Sequence, residues 1–286
     1  LNFDFGTLVP LDLSASIEKV KEADIVVFAG GIAPSLEGEE MRVTVPGFKG
    51  GDRTDIELPA IQRRMLQALK AAGKKVVFVN FSGSAMGFVP ETQSCEAILQ
   101  AWYPGQAGGT AIANVLFGNY NPSGKLPVTF YKNVEQNTPF ESYSMKGRTY
   151  RFMTEKPLFP FGFGLSYTTF NVGEAKVFNA EAEPGENVEL SVPVTNAGKT
   201  DGAETIQVFV RKTGDTDGPV KTLKAFQRIA VAAGKTEKAD ISLPYNSFEF
   251  FNRESGKMAV IPGEYEIFYG TSYDDKDLKK AKVVLQ

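Results

Sequence analysis

The sequence predicts an α/β layer domain with a mostly parallel sheet, followed by an antiparallel β-sandwich. Three observations predict this. Up to about Phe130, short apolar runs alternate with segments of helical spacing, the order of parallel strands joined by helical crossovers. From Phe170 on, apolar residues recur at every second position in short runs, the period of half-buried strands. Turn clusters separate those runs at Glu183-Pro184-Gly185, Asn196-Ala197-Gly198, Ala233-Gly234, Ser255-Gly256 and Pro262-Gly263, as in a sandwich. The change of period lies at Tyr167 to Asn171, giving domains 1–168 and 169–286.

The elements follow in order. Leu1 to Leu13 reads as an extended lead-in. Ser14 or Ser16 can cap a short helix over Ile17 to Glu22. Asp24 to Ala29 is the first strand, and Gly30 to Leu58 a long loop. Pro59 suits a first helical turn; Ile61, Met65, Leu66 and Leu69 then keep helical spacing, and Gly73 marks the stop. Lys75 to Asn80 is apolar without alternation, as a strand buried on both faces requires. Ser82 to Gly87 is turn-rich. Ile98 to Trp102 is a third strand, Gly108 to Phe117 a helix stopped by Gly118, Asn121 to Gly124 a turn, and Leu126 to Phe130 a further strand. The stretch from Tyr131 to Tyr167 is irregular and rich in aromatics. The alternating runs of the second domain are Val188 to Val194, Thr205 to Val210 and Gly263 to Tyr269.

Composition narrows the chemistry. The chain of 286 residues carries 42% hydrophobic and 23% charged residues and a net charge of −3, ordinary globular values. No basic block points to nucleic acid, and no apolar run approaches the roughly 20 residues of a membrane helix. The chain opens on Leu1 without an initiating methionine or a signal peptide, and reads as an excised or processed piece. Histidine is absent, which removes Ser-His-Asp and Cys-His nucleophile systems and most zinc and non-haem iron sites. Cys95 is the only cysteine. No cofactor is expected, and the reactive groups left are carboxylates, lysine, arginine, tyrosine and the backbone.

The chain is organised around Leu36-Glu37-Gly38-Glu39-Glu40-Met41, continued by Gly51-Asp52-Arg53 and on to Pro59. Three carboxylates fall within four positions, just past a buried strand and the pair Gly30-Gly31. The carboxyl ends of strands in open α/β sheets are where ligands bind, and a carboxylate there serves as general acid or base if its pKa is raised. Asp52-Arg53 suits an ion pair that pins the loop. Asp55 and Glu57 suit acids that complement the dipole of the next helix.

Other motifs read as structural. Pro104-Gly105-Gln106-Ala107-Gly108-Gly109 opens a helix but misses the G-x-G-x-x-G spacing and its distal acid, so its glycines serve a tight turn. Phe161-Gly162-Phe163-Gly164-Leu165 precedes the β-domain and reads as a packed clamp. Phe81, Phe88, Trp102 and Tyr103 near strand ends are candidates to stack on a sugar ring, though such residues are more often core.

Taken together, the acidic stretch with Gly51-Asp52-Arg53, Trp102 to Gly109, Asn121-Pro122-Ser123-Gly124-Lys125-Leu126-Pro127 and Phe161 to Phe170 resemble glycoside hydrolase family 3. Their order is similar to the second and third domains of family β-glucosidases and β-xylosidases, an α/β-sandwich and an immunoglobulin/fibronectin III-like sandwich. The resemblance implies a retaining exo-acting glycosidase, with a nucleophilic aspartate on a preceding (β/α)8 barrel that this chain lacks. It implies a general acid/base glutamate on the loop: Glu39, within Gly38-Glu39-Glu40-Met41, with Glu37 as the alternative for the same role. Glu40 stands where the family pattern has a small residue, and Arg42 to Gly50 is an insertion. The implied partners are an oligosaccharide or aryl glycoside, xyloside before glucoside, and the barrel of the same full-length chain, with no nucleic acid and no membrane. The implied location is periplasmic or secreted. The chain alone is expected to fold without hydrolysing glycosides. The alternative is a non-catalytic carbohydrate- or partner-binding module; a nucleotide-binding α/β protein is weaker.

Overall fold

The computed structural model describes residues 12–34, 36, 46–50 and 52–286. Packing divides the chain into two compact units. The first comprises the described residues up to Thr110 together with Tyr131–Gln136, and the second Ala111–Phe130 with Asn137–Gln286.

In the first unit the elements are α1 (Leu13–Lys19), β1 (Ile25–Gly31), the short pair β2 (Phe48–Lys49) and β3 (Asp52–Arg53), α2 (Ala60–Ala71), β4 (Lys75–Phe81), α3 (Val89–Ser94) and β5 (Ala97–Gln100); α4 (Gly108–Leu116) follows. Strands β1, β4 and β5 form a parallel sheet in that order, with Ile25 opposite Lys75, Gly31 opposite Phe81 and Asn80 opposite Gln100. All three therefore finish at one edge. Central β4 buries Val76, Phe78 and Val79, and α2 buries Met65, Leu66 and Leu69, the stripe its spacing predicted. Strand β1 alternates instead, leaving Ile25 and Val27 more than half exposed.

Four elements differ from expectation. Helix α1 begins earlier, because Asp12 rather than Ser14 or Ser16 is the cap: its Oδ1 accepts a hydrogen bond from Ala15 N at 3.1 Å, which suits the positive end of a helix. Helix α3, with Pro90 in its first turn, was not foreseen; at six residues it is too short to show a period. Leu126 to Phe130 forms no ladder. Pro127 has no N–H to give, so pairing is confined to the two ends: Leu126 N donates to Phe163 O and Leu126 O accepts from Gly162 N, each at 2.8 Å, while Phe130 N donates to Phe159 O at 3.0 Å and Phe130 O accepts from Leu158 N at 2.9 Å. The predicted strand over Ile98–Trp102 ends at Gln100, since Trp102 adopts φ +55° and turns away.

The second unit holds α5 (Thr149–Phe152) and strands β6 (Phe170–Val172), β7 (Lys176–Phe178), β8 (Glu181–Ala182), β9 (Val188–Asn196), β10 (Gly202–Lys212), β11 (Thr222–Val231), β12 (Thr236–Leu243), β13 (Phe250–Asn252), β14 (Lys257–Ala259), β15 (Gly263–Gly270) and β16 (Leu278–Leu285). One sheet runs β11-β10-β15-β16-β8; the other runs β12-β9-β6, with β7 also on β9. All pairs are antiparallel except β16 with β8. Alternate residues of β9, Val188, Leu190, Val192 and Val194, pack in one core with Ile206, Val208, Val210, Tyr265, Ile267 and Tyr269 of the other sheet. Tyr265, at the start of β15, forms a tyrosine corner: its hydroxyl donates to Ile261 O at 2.7 Å and accepts from Ile261 N at 3.1 Å. The aromatic segment before β6 packs within this unit. Tyr150 stacks on Phe161 with centroids 4.3 Å apart, and Lys125 Nζ meets Glu204 Oε1 at 2.8 Å.

Candidate active site

The excursion between β1 and α2 is rooted at the carboxyl edge of the parallel sheet. At its first root, Gln62 of α2 clamps Gly31 on both sides. Its Oε1 accepts from Gly31 N and its Nε2 donates to Gly31 O, each at 2.8 Å. Ile32 N donates to Phe81 O at 2.9 Å. Gly31 sits at φ +127°, and a Cβ there would lie 1.9 Å from Phe81 O, so only glycine fits.

The second root is held by charge. Arg63 of α2 donates through Nε to Glu91 Oε1 at 2.7 Å and through Nη2 to Glu91 Oε2 at 3.1 Å, a bidentate pair, and a third donor meets Glu57. Glu91 is 1% exposed. Burial opposes the charge on Arg63, but the hydrogen bonds and charges of Glu91 and Glu57 outweigh it and hold its pKa above the usual arginine value. Beside it, Gly87 N donates to Ile56 O at 2.8 Å, joining the incoming chain to the turn after β4.

Between these roots lie Glu37, Glu39 and Glu40, outside the described residues. The acids around them have other tasks than expected. Asp55 accepts from Glu57 N at 2.9 Å and Glu57 pairs with Arg63; neither lies in the first turn of α2, which follows Pro59, to complement its dipole. Arg53 turns to the loop after β4, donating to Ser84 Oγ at 3.1 Å and to Glu57 O at 3.3 Å.

Under this edge runs an uncharged network. Asn80 Nδ2 donates to Ser82 Oγ at 2.8 Å and to Gln100 Oε1 at 2.7 Å, and Ser82 Oγ donates to Ser84 O at 2.8 Å. It ties the ends of β4 and β5 together and offers no proton for catalysis. Tyr103 is 41% exposed, with its hydroxyl donating to Ile32 O at 2.9 Å, so a ring stands beside the first root. Phe88 is core, packed edge-on against Phe78. Burial pushes the Cys95 thiol up to about 11, which removes it as a nucleophile. Among the described residues no cluster of three or more carboxylates and cysteines could hold a metal.

The two glycine motifs are structural. A Cβ at Gly108 would lie 2.4 Å from Pro104 Cβ, as a tight turn into α4 implies. Within the second unit Gly162 has φ +76°, a Cβ there would meet Gln207 Oε1 at 2.0 Å, and Gln207 Nε2 donates to Gly162 O at 3.1 Å. The positions that sequence reasoning missed are Gln62, Arg63 and Glu91. Their spacing is unremarkable, and only the crossover brings them to the loop roots.

Residues 10–167 match the C-terminal domain of glycosyl hydrolase family 3, and residues 204–273 match a fibronectin type III-like domain. The chain is 56% identical over its whole length to a xylan 1,4-β-xylosidase of Xylanibacter ruminicola, and covers 33% of that protein. It is 36% identical to a periplasmic β-glucosidase of Salmonella typhimurium, over 90% of this chain and 34% of that one. Among solved structures it resembles a β-glucosidase from Erythrobacter marinus, with TM-score 0.83 and 32% identity over 96% of this chain and 36% of that one. The chain thus spans about a third of the length of the relatives it matches. It belongs to glycosyl hydrolase family 3, carrying that family's C-terminal domain followed by a fibronectin type III-like domain.

Proposed function

We propose that this chain supplies the general acid/base glutamate of a retaining exo-acting β-glycosidase whose nucleophilic aspartate sits on a preceding (β/α)8 barrel. Residues 1–168 carry the acid/base and 169–286 are accessory. Glu39 is the proton donor, and Glu37 is the rival for the role. The observation that carries the reading is the double rooting of the acidic excursion at the ligand-binding edge of a parallel sheet.

In the first step the glutamate protonates the departing glycosidic oxygen while the aspartate attacks the anomeric carbon. In the second it takes a proton from the water that displaces the aspartate. The two carboxyl groups must stand about 5–5.5 Å apart, which a glutamate on this loop meets only with the barrel in place. Xylosides are the favoured substrate class because the relative at 56% identity is described as a xylan 1,4-β-xylosidase. A periplasmic location is in keeping with the Salmonella relative.

The test joins the chain to its upstream barrel and compares Glu39→Gln with Glu37→Gln. The acid/base variant should lose about 10²–10⁴-fold in kcat on substrates with a poor leaving group. It should retain the first step on activated aryl glycosides and regain turnover with azide. That behaviour in Glu37→Gln alone moves the role to Glu37, and its absence from both variants overturns the reading.

A further inference from the structure

In the second unit, the β13–β14 hairpin, the loop after β10 and helix α5 enclose a cleft of about 680 Å³, the size of a small-ligand site. Its chemistry is unfinished. Arg151 Nε and Thr222 Oγ1, both on its lining, are buried without a hydrogen-bond partner. Buried polar atoms in folded proteins are almost always paired. Lys224 also lines the cleft, its Nζ 5.2 Å from the Phe250 ring centroid and 3.4 Å from Glu249 O. Among the described residues neither Arg151 nor Lys224 has a salt bridge. Burial, and then the charge of Arg151, depress the Lys224 pKa.

Two of the four acids that line the cleft are engaged by other groups. Asp217 is tied to Arg253 at 3.0 Å. Asp215 accepts from Asp217 N at 3.1 Å and Gly218 N at 2.8 Å. Glu254 is exposed, and Glu249 is the carboxylate whose charge acts on Lys224, against that of Arg151. Beside them Phe251 leaves 61% of its surface open, a flat apolar face next to polar groups. An anion alone would use the cations and leave the ring idle; a neutral sugar would do the reverse.

We propose that this cleft binds a saccharide that carries a carboxylate, its acid group between Arg151 and Lys224 and its ring on Phe251. The site is independent of the acidic excursion, so it stands or falls apart from the role of Glu39.

The full chain is titrated calorimetrically with a xylotriose bearing one glucuronic acid branch, with plain xylotriose, and with triglutamate. The branched sugar should saturate and weaken as salt is raised, and plain xylotriose should bind at least about tenfold more weakly. Lys224→Met and Phe251→Ala should each weaken the branched sugar about tenfold, ~1.4 kcal/mol. Phe251→Ala is the control for folding because that ring is exposed. Equal affinity for the neutral sugar, no binding of the acidic one, triglutamate binding as tightly, or full affinity in the Phe251→Ala variant each overturns the proposal.

Discussion

Arg63 faces two carboxylates, one of them on a fully buried glutamate, and this makes it the most consequential single side chain at the loop roots. Removing it leaves the buried Glu91 without its partner. Arg63→Met should cost about 3–5 kcal/mol in urea unfolding, with Arg63→Lys costing less; a loss below about 1 kcal/mol would show that the pair does not hold the root. Tyr265 makes a comparable point in the sandwich. Its burial pushes its pKa up to about 12 from an ordinary value of 10.0. The folded-state pKa lies above the unfolded one, so this contribution to stability is complete below about pH 10 and is lost as pH rises towards 12. Tyr265→Phe should cost about 1–2 kcal/mol at neutral pH, because both polar atoms of Ile261 lose their partner. It should also flatten the fall in stability between pH 10 and 12; an unchanged slope would place the alkaline sensitivity elsewhere. At this scale the sequence was least legible. It marked Glu37 and Glu39 by their crowding, but spacing cannot reveal that Gln62 clamps Gly31, or that Arg63 and Glu91 meet across two crossovers.

Among elements, the parallel strands and α2 were readable because their signals are local: a short apolar run without polar interruption, a stripe at helical spacing, a proline before it and a glycine after it. Failures came where one local signal competed with another. Leu126 to Phe130 has the composition of a strand, yet Pro127 breaks its ladder. Ser14 and Ser16 are good caps, yet Asp12 stands earlier and carries charge. By sequence the glycine pair at the end of β1 starts a loop, and the structure gives it a sharper task. Gly31→Ala would force a Cβ into Phe81 O at 1.9 Å with φ +127°. This should destabilise the protein by at least about 1–3 kcal/mol and, in the barrel-joined enzyme, lower kcat by loosening the excursion. Wild-type stability and kcat in that variant would mean the root can move freely without consequence.

The whole molecule combines two fold classes, and the switch from helical to alternating periodicity announces both. Packing groups the chain differently from periodicity: Ala111–Phe130 and Asn137 onward belong with the sandwich. The reason lies in the aromatic stretch, where Tyr150, Phe161, Phe209 and Tyr273 form one cluster of rings. No period announces such a cluster, since its members come from three separate parts of the chain. The proposed chemistry belongs to this scale too, because it requires a carboxylate from each of two domains. The most direct measurement is the turnover of an aryl β-xyloside by the 286-residue chain, alone and joined to its upstream barrel. The account predicts no turnover above background from the chain alone and full turnover from the joined protein. Equal turnover by the two would contradict it.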